Sequence, residues 1–290
     1  MTTPNLPFRW DLIRRDQLGA LLDGRPEPYL PYLDTIVECG AKVLARSGDG
    51  DVHFVGRSAD SVFDLLSGAL SATGRPGRVR LLPYSHRWEE PLGPHEIRQL
   101  RANMAALGLT PHALARRKTP FVLADLVYEG HTFTHLYGFL RDWIADERES
   151  WDVIRLKLRF LGITEAKKTS PNTWRWWQEA GWTADLPRRN VTNVSIAPRA
   201  WDYLGNYQPK LTASFRRTRW ADEAVTSPAH DDPTLDALAQ AIGFVERGRT
   251  PDVRERIARI LAEEPSFTEP WARSLALALR GGGGRPGGSR

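Results

Sequence analysis

Sulfur is scarce in this chain of 290 residues, which has one cysteine and two methionines. A lone cysteine excludes an internal disulfide framework and a cysteine-based zinc site. Cys39 lies among apolar residues at helical spacing, so inert core packing is expected of it. Long apolar runs are also missing. None approaches the roughly 18 residues that would read as a membrane span. The opening stretch Met1-Thr2-Thr3-Pro4-Asn5 lacks the basic segment and apolar core of a signal peptide. These absences predict a cytoplasmic protein with no membrane partner. Internal repeats are absent too.

What is present is ordinary in bulk and uneven in detail. Hydrophobic residues make up 41% and charged residues 26%, as in soluble globular proteins, and the length allows a full core plus an appendage. The net charge is +5, with basic clusters at Arg116-Arg117-Lys118 and Arg216-Arg217-Thr218-Arg219. Nucleic-acid binding would need such charges on one face, interleaved with stacking aromatics. That pattern is not evident, so nucleic acid is not the expected partner; a small phosphorylated ligand also favours a basic site. Eleven tryptophans are many for this length. Trp174, Trp176, Trp177, Trp182, Trp201 and Trp220 fall in the second half, where packing is the expected role.

Periodicity organises the first half. Tyr29 to Leu44 carries apolar residues at helical spacing, closed by Ser47-Gly48-Asp49-Gly50. Val52 to Val55 reads as a buried strand, broken by Gly56-Arg57-Ser58-Ala59-Asp60, and Val62 to Leu70 as the helix behind it. Val79 to Leu82 is a second strand and Glu96 to Leu107 a helix. Phe121 to Leu123 is a third strand, followed across a turn by a helix through Phe133, Leu136, Tyr137, Leu140, Trp143 and Ile144. Strands alternating with helices imply an α/β fold, a parallel sheet flanked by helices, with ligands at the carboxyl ends of its strands. Two strand-to-helix turns, 56–60 and 125–132, then share one edge. Each offers backbone N–H groups and a helix dipole to an anion.

The stretch Phe121-Val122-Leu123-Ala124-Asp125-Leu126-Val127-Tyr128-Glu129-Gly130-His131-Thr132 resembles the ribose-phosphate signature of type I phosphoribosyltransferases. In that signature an apolar strand leads to two acids, two aliphatics, small hydroxylic residues, glycine, any residue and threonine. Asp125 takes the second acid, Leu126 and Val127 the aliphatics, Gly130 the glycine and Thr132 the threonine. The turn Gly56-Arg57-Ser58 is similar to the family's pyrophosphate loop, and the two occur in the family's order. The likeness covers about residues 29–145, and more loosely extends to about 205. It implies a phosphoribosyltransferase-like enzyme. Such an enzyme moves a phosphoribosyl group from 5-phosphoribosyl pyrophosphate to an acceptor and releases pyrophosphate, with magnesium carried on the substrate.

The roles implied follow from charge. Asp125 would hold the ribose hydroxyls and steady the positive charge that develops on the ring. Gly130, His131 and Thr132 would grip the 5-phosphate, and Gly56, Arg57 and Ser58 the pyrophosphate. Trp201 or Tyr203 would stack on the acceptor, as an aromatic residue late in the chain often does in the family. Two positions depart from the signature. Ala124 replaces the first acid, and Glu129 replaces a small hydroxylic residue within the phosphate loop. Glu129 would have to turn outward, meet a cation such as His131, or replace the missing acid at a ribose hydroxyl, which makes it a second catalytic candidate. The same departures leave open a non-catalytic protein that binds a nucleotide or sugar phosphate for regulation. His131 and His135 are four apart but have no third ligand in the pattern, so no protein-held metal site is expected.

Further on, Ile154 to Phe160 alternates apolar and basic residues like a half-buried strand, with a helix as the alternative. A tryptophan-rich helix is expected over 173–179 and a strand over Val191 to Ile196. Helices over 234–245, 253–261 and 271–279 read as a small appendage, useful for a homodimer. The expected division is therefore an α/β domain over 1–220, a helical appendage over 221–280, and a glycine-rich disordered tail over 281–290.

Overall fold

In the computed structural model, residues 2–85, 91–166, 175–178, 180–215 and 228–281 are described. Five strands supply the centre: β1 (Asp51–Val55), β2 (Val79–Leu82), β3 (Phe121–Leu126), β4 (Leu158–Glu165) and β5 (Val191–Ile196). They form an all-parallel sheet in the order β2-β1-β3-β4-β5. The apolar runs of β1 and β3 explain their central places, because such strands are covered on both faces. Side chains alternate accordingly. Val52, Phe54, Val122 and Ala124 join one apolar cluster, and Val55, Phe121 and Leu123 join the other.

Helices cover both faces. The first cluster takes in α1 (Leu33–Arg46) and α2 (Asp60–Ser71). The second takes in α3 (Pro94–Ala106), α4 (Pro111–Arg116), α5 (His131–Asp146) and α6 (Trp151–Ile154). Helix α7 (Pro198–Asp202) follows β5, and a π-helical turn, Tyr203–Tyr207, continues it. Three longer helices complete the chain: α8 (Asp232–Arg249), α9 (Pro251–Glu263) and α10 (Pro270–Leu279). Among the described residues, no helix is long and apolar enough to cross a membrane. Cys39 is buried in α1, and burial pushes its thiol up to about 12, as an unreactive core residue requires.

Helices α8–α10 are not an appendage. Phe244, Val253, Ile257, Leu261, Leu275 and Leu279 belong to the same apolar cluster as α1 and α2. Helix α8 crosses α2 so closely that a Cβ on Gly68 would lie 2.0 Å from the Val245 carbonyl oxygen. One on Gly248 would lie 2.1 Å from that of Leu65. Two glycines facing one crossing let the backbones touch, and periodicity within a single helix does not reveal that pairing. The N-terminal segment is fixed to the same body. Arg9 reaches Asp60 at 3.2 Å and Asp64 at 2.7 Å at the start of α2. Burial raises Asp64 to about 7, against the pull of Arg9.

The stretch read as a strand over 154–160 is split. Its start closes the short helix α6, and the strand proper runs later, over Leu158–Glu165. Of the helix expected over 173–179, Trp176–Gln178 form a 3-10 turn; residues 173, 174 and 179 lie outside the described residues. Most of the glycine-rich tail and the cluster at Arg216 also lie outside them.

Candidate ligand-binding site

The strand order dictates where a ligand can sit. From β1 the chain crosses to β2 on one side, and from β3 it crosses to β4 on the other. The turns after β1 and β3 therefore diverge and leave a crevice at the carboxyl ends of these neighbouring strands, the usual ligand position in open parallel sheets. Both turns singled out in the sequence flank that crevice.

Asp125 ends β3 inside it, 6% exposed. One carboxylate oxygen accepts the Leu126 N–H at 2.7 Å, and the Thr132 side chain is hydrogen-bonded to the same carboxyl group. Burial pushes this carboxyl up to about 8; the Leu126 N–H, the Thr132 hydroxyl and the charge of Lys210 all pull the other way. At neutral pH the group is mostly protonated and primed to ionise when a cation or a donor-rich ligand arrives.

The loop from Asp125 to Thr132 lines an open groove of about 220 Å³. Helix α5 begins at its end without a side-chain cap, and its first residues, His131 to Phe133, belong to the groove lining. Gly130 has φ +85°, and a Cβ there would lie 2.7 Å from the Trp176 ring. That residue must be glycine both for its backbone and for the tryptophan packed behind it. Glu129 is turned to solvent and pairs with His131 at 3.4 Å, their side chains 49% and 72% exposed. Both residues belong to the lining of the open groove, so the Glu129 carboxylate stands at its rim beside His131.

A second, smaller cavity of about 80 Å³ joins the two turns. Gly56, Arg57 and Ser58 line it from β1, Asp125 and Thr132 from β3, and Lys210 and Phe215 from a later segment. The expected pyrophosphate residues are therefore beside the expected ribose residues, with changes in detail. The Gly56 N–H is spent on the Leu82 carbonyl at 2.9 Å, completing the sheet, so it cannot serve an anion. The Arg57 guanidinium donates to the Thr212 carbonyl at 2.5 Å. His86 and Arg87, at the next strand end, lie outside the described residues.

The aromatic candidates separate. Tyr203 is buried in the core, its ring 5.5 Å from Tyr32 and its hydroxyl donating to Gln240 at 2.8 Å. It faces α8 and is 7% exposed, which leaves no open ring face for an acceptor. Trp201 donates from its indole to the Ile163 carbonyl at 3.2 Å and lies 6.3 Å from Tyr128 of the phosphate loop. It borders the groove at one remove. Three arginines between the second and third strands are engaged elsewhere: Arg101 with Asp146, Arg116 with Glu149, and Arg117 with Asp51 at the opposite edge of the sheet.

Sequence reasoning missed Lys210 and Gln208. Lys210 donates to the carbonyls of Arg57 at 3.1 Å and Leu204 at 2.9 Å. Neither residue sits in a periodic element, and a lysine after Pro209 offers no signal of its own. No family model matches this chain, and no curated protein or solved structure matches it.

Proposed function

We propose that this protein binds a phosphorylated ribose in the crevice between β1 and β3 and transfers the phosphoribosyl group of 5-phosphoribosyl pyrophosphate to an acceptor. One observation carries the reading: Asp125, Thr132 and the Gly56–Ser58 turn converge on a single cavity at the topological switch of the sheet. The 5-phosphate would lie in the groove of the 126–132 loop, on the uncapped start of α5. Asp125 would take the ribose hydroxyls and, once ionised, stabilise the charge that grows on the ring as pyrophosphate leaves. Positioning and charge neutralisation would account for the catalysis.

Magnesium fits this donor set only through the substrate. Among the described residues no group of three His, Cys, Asp or Glu side chains converges, and Asp125 is the one carboxylate lining the smaller cavity. A hard cation held mainly by diphosphate oxygens needs no more than this.

A second reading, binding without transfer, is favoured by Ala124 and by the Gly56 N–H already committed to the sheet. Pyrophosphate release separates the two. Incubation of the protein with 5-phosphoribosyl pyrophosphate, magnesium and a panel of nucleobases and aromatic acids should liberate pyrophosphate with at least one acceptor. Saturable binding of the donor with no release from any acceptor would select the second reading. No binding at all would remove both.

A further inference from the structure

All five strands run the same way, so the chain enters every strand at one edge of the sheet, opposite the crevice. The connections that meet there are residues 46–52, 71–80, 106–122, 146–159 and 185–192, each taken to the second residue of its strand. They hold thirteen lysines and arginines against seven aspartates and glutamates, an excess of six, while the whole chain has an excess of five. The remainder of the chain is therefore close to neutral. Arg116-Arg117-Lys118 and Arg188-Arg189 are far apart in the sequence, and the parallel sheet gathers them on one side.

Acids cancel part of this charge. Asp49 pairs with Arg75, Asp51 with Arg117, Glu149 with Arg116 and Asp152 with Arg155, and Glu264 reaches Arg46 from α9. Other cations are held by neutral oxygens, which leave the charge in place. Arg78 donates to the Gly48 carbonyl, Arg159 to that of Ser47 at 3.1 Å, and Lys157 to that of Ala115. Lys118, Arg188 and Arg189 are exposed and have no carboxylate partner among the described residues. Like charges therefore face one another. Burial and then the charge of Arg189 lower the Arg159 guanidinium, and burial and then Arg75 pull Arg78 down to about 10. His53 is pushed down to about 3 by burial first and then by Arg117 and Arg80. The carboxyl ends of the covering helices offset about half a charge each, which does not exhaust the excess.

The dimensions and chemistry of this edge suit a polyanion with a regular repeat. Neighbouring strands are about 4.8 Å apart, so five of them set the connections in a row about 19 Å long. A nucleic-acid duplex carries one charge per about 1.7 Å of axis, about eleven over that length. Eleven of the thirteen cations are arginine, whose planar fork matches phosphate oxygens better than an ammonium does. The tryptophans at this edge, Trp151 and Trp271, each have an arginine over the ring, Arg141 and Arg78. Guanidinium groups, rather than open aromatic faces for splayed bases, are what the edge presents.

We propose that the amino edge of the sheet is a binding surface for the phosphate backbone of a nucleic-acid duplex, contacted without regard to sequence. The surface is separate from the crevice and independent of the sugar-phosphate reading.

The test is fluorescence anisotropy of a labelled duplex of about 20 base pairs, titrated with the full chain at salt from about 50 to about 200 mM. Neutralising about five phosphates gives a slope of about −4.5 in log affinity against log salt, a loss of about 500-fold over this range. Lys118→Gln, Arg188→Gln and Arg189→Gln in one chain should weaken binding and make the slope shallower by about 2–3. Arg14→Gln, Arg199→Gln and Arg247→Gln remove the same charge away from this edge and should move the slope by less than about 0.5. An unchanged Tm in both variants keeps folding out of the comparison. Vesicles containing phosphatidylserine are the competing polyanion. No saturable duplex binding at about 50 mM salt, an unchanged slope in the first variant, or an equal change in the second overturns the proposal. So does binding to the vesicles without binding to the duplex.

Discussion

Replacing Asp125 by asparagine should make the protein more stable, and by an amount that depends on pH. The carboxyl is buried and held up to about 8, while in an unfolded chain an aspartate ionises near 3.9. The folded state therefore keeps its proton longer than the unfolded one. Stability from this group is complete below about pH 4 and falls as pH rises towards about 8, by about 1.4 kcal/mol per pH unit. At pH 7 the accumulated cost is about 4 kcal/mol, a large share of the stability of an ordinary domain. Asparagine has the same shape, can still accept the Leu126 N–H, and does not titrate. Urea unfolding of both proteins, in steps from about pH 4.5 to about pH 8.5, isolates the effect, since other titrating groups cancel in the difference. The advantage of Asp125→Asn should grow steadily across this range and level off above about pH 8. An offset that does not change with pH, or a variant less stable than the wild type at pH 7.5, would refute the reasoning.

Three further perturbations test the surrounding architecture. Gly130→Ala forces a side chain into a backbone with φ +85° and to within 2.7 Å of the Trp176 ring, so denaturant unfolding should show a loss of about 2–5 kcal/mol. Gly68→Ala sets a methyl group against the Val245 carbonyl and should cost about 1–3 kcal/mol or more; a change below about 0.5 kcal/mol would return α8 to the status of a loose appendage. Arg9→Met leaves Asp60 and Asp64 buried without their cation. Its cost should be about 3–5 kcal/mol at pH 8 and clearly smaller at pH 5, because Asp64, at about 7, is protonated there and no longer needs a partner.

Much of this was legible in the sequence, for identifiable reasons. The runs Val52-His53-Phe54-Val55 and Phe121-Val122-Leu123 are apolar on both faces, which only a covered parallel strand tolerates, and both are central strands. Asp125, Gly130 and Thr132 lie within one turn, so local geometry alone brings them together. What the sequence did not disclose depends on long-range partners. Gln208 and Lys210 act across about 150 positions from a stretch with no periodicity. Tyr203 and Trp201 differ by two positions, yet the tyrosine lies in the core and the tryptophan lies beside Tyr128 of the loop. The close crossing of α2 and α8 depends on two glycines 180 positions apart, each unremarkable in its own helix. The pairing of Glu129 with His131 at the rim of the groove also depends on the fold of the loop rather than on any motif.

The most direct test is to titrate ribose 5-phosphate into the wild-type chain and into Asp125→Asn by calorimetry at about pH 9, above the raised value of about 8 for the Asp125 carboxyl. Removal of a charged hydrogen-bonding partner is worth about 1.5–3 kcal/mol, so the wild type should bind saturably and the variant at least about tenfold more weakly. Equal affinity in the two proteins, or no heat from either, would contradict a sugar-phosphate site at the end of β3.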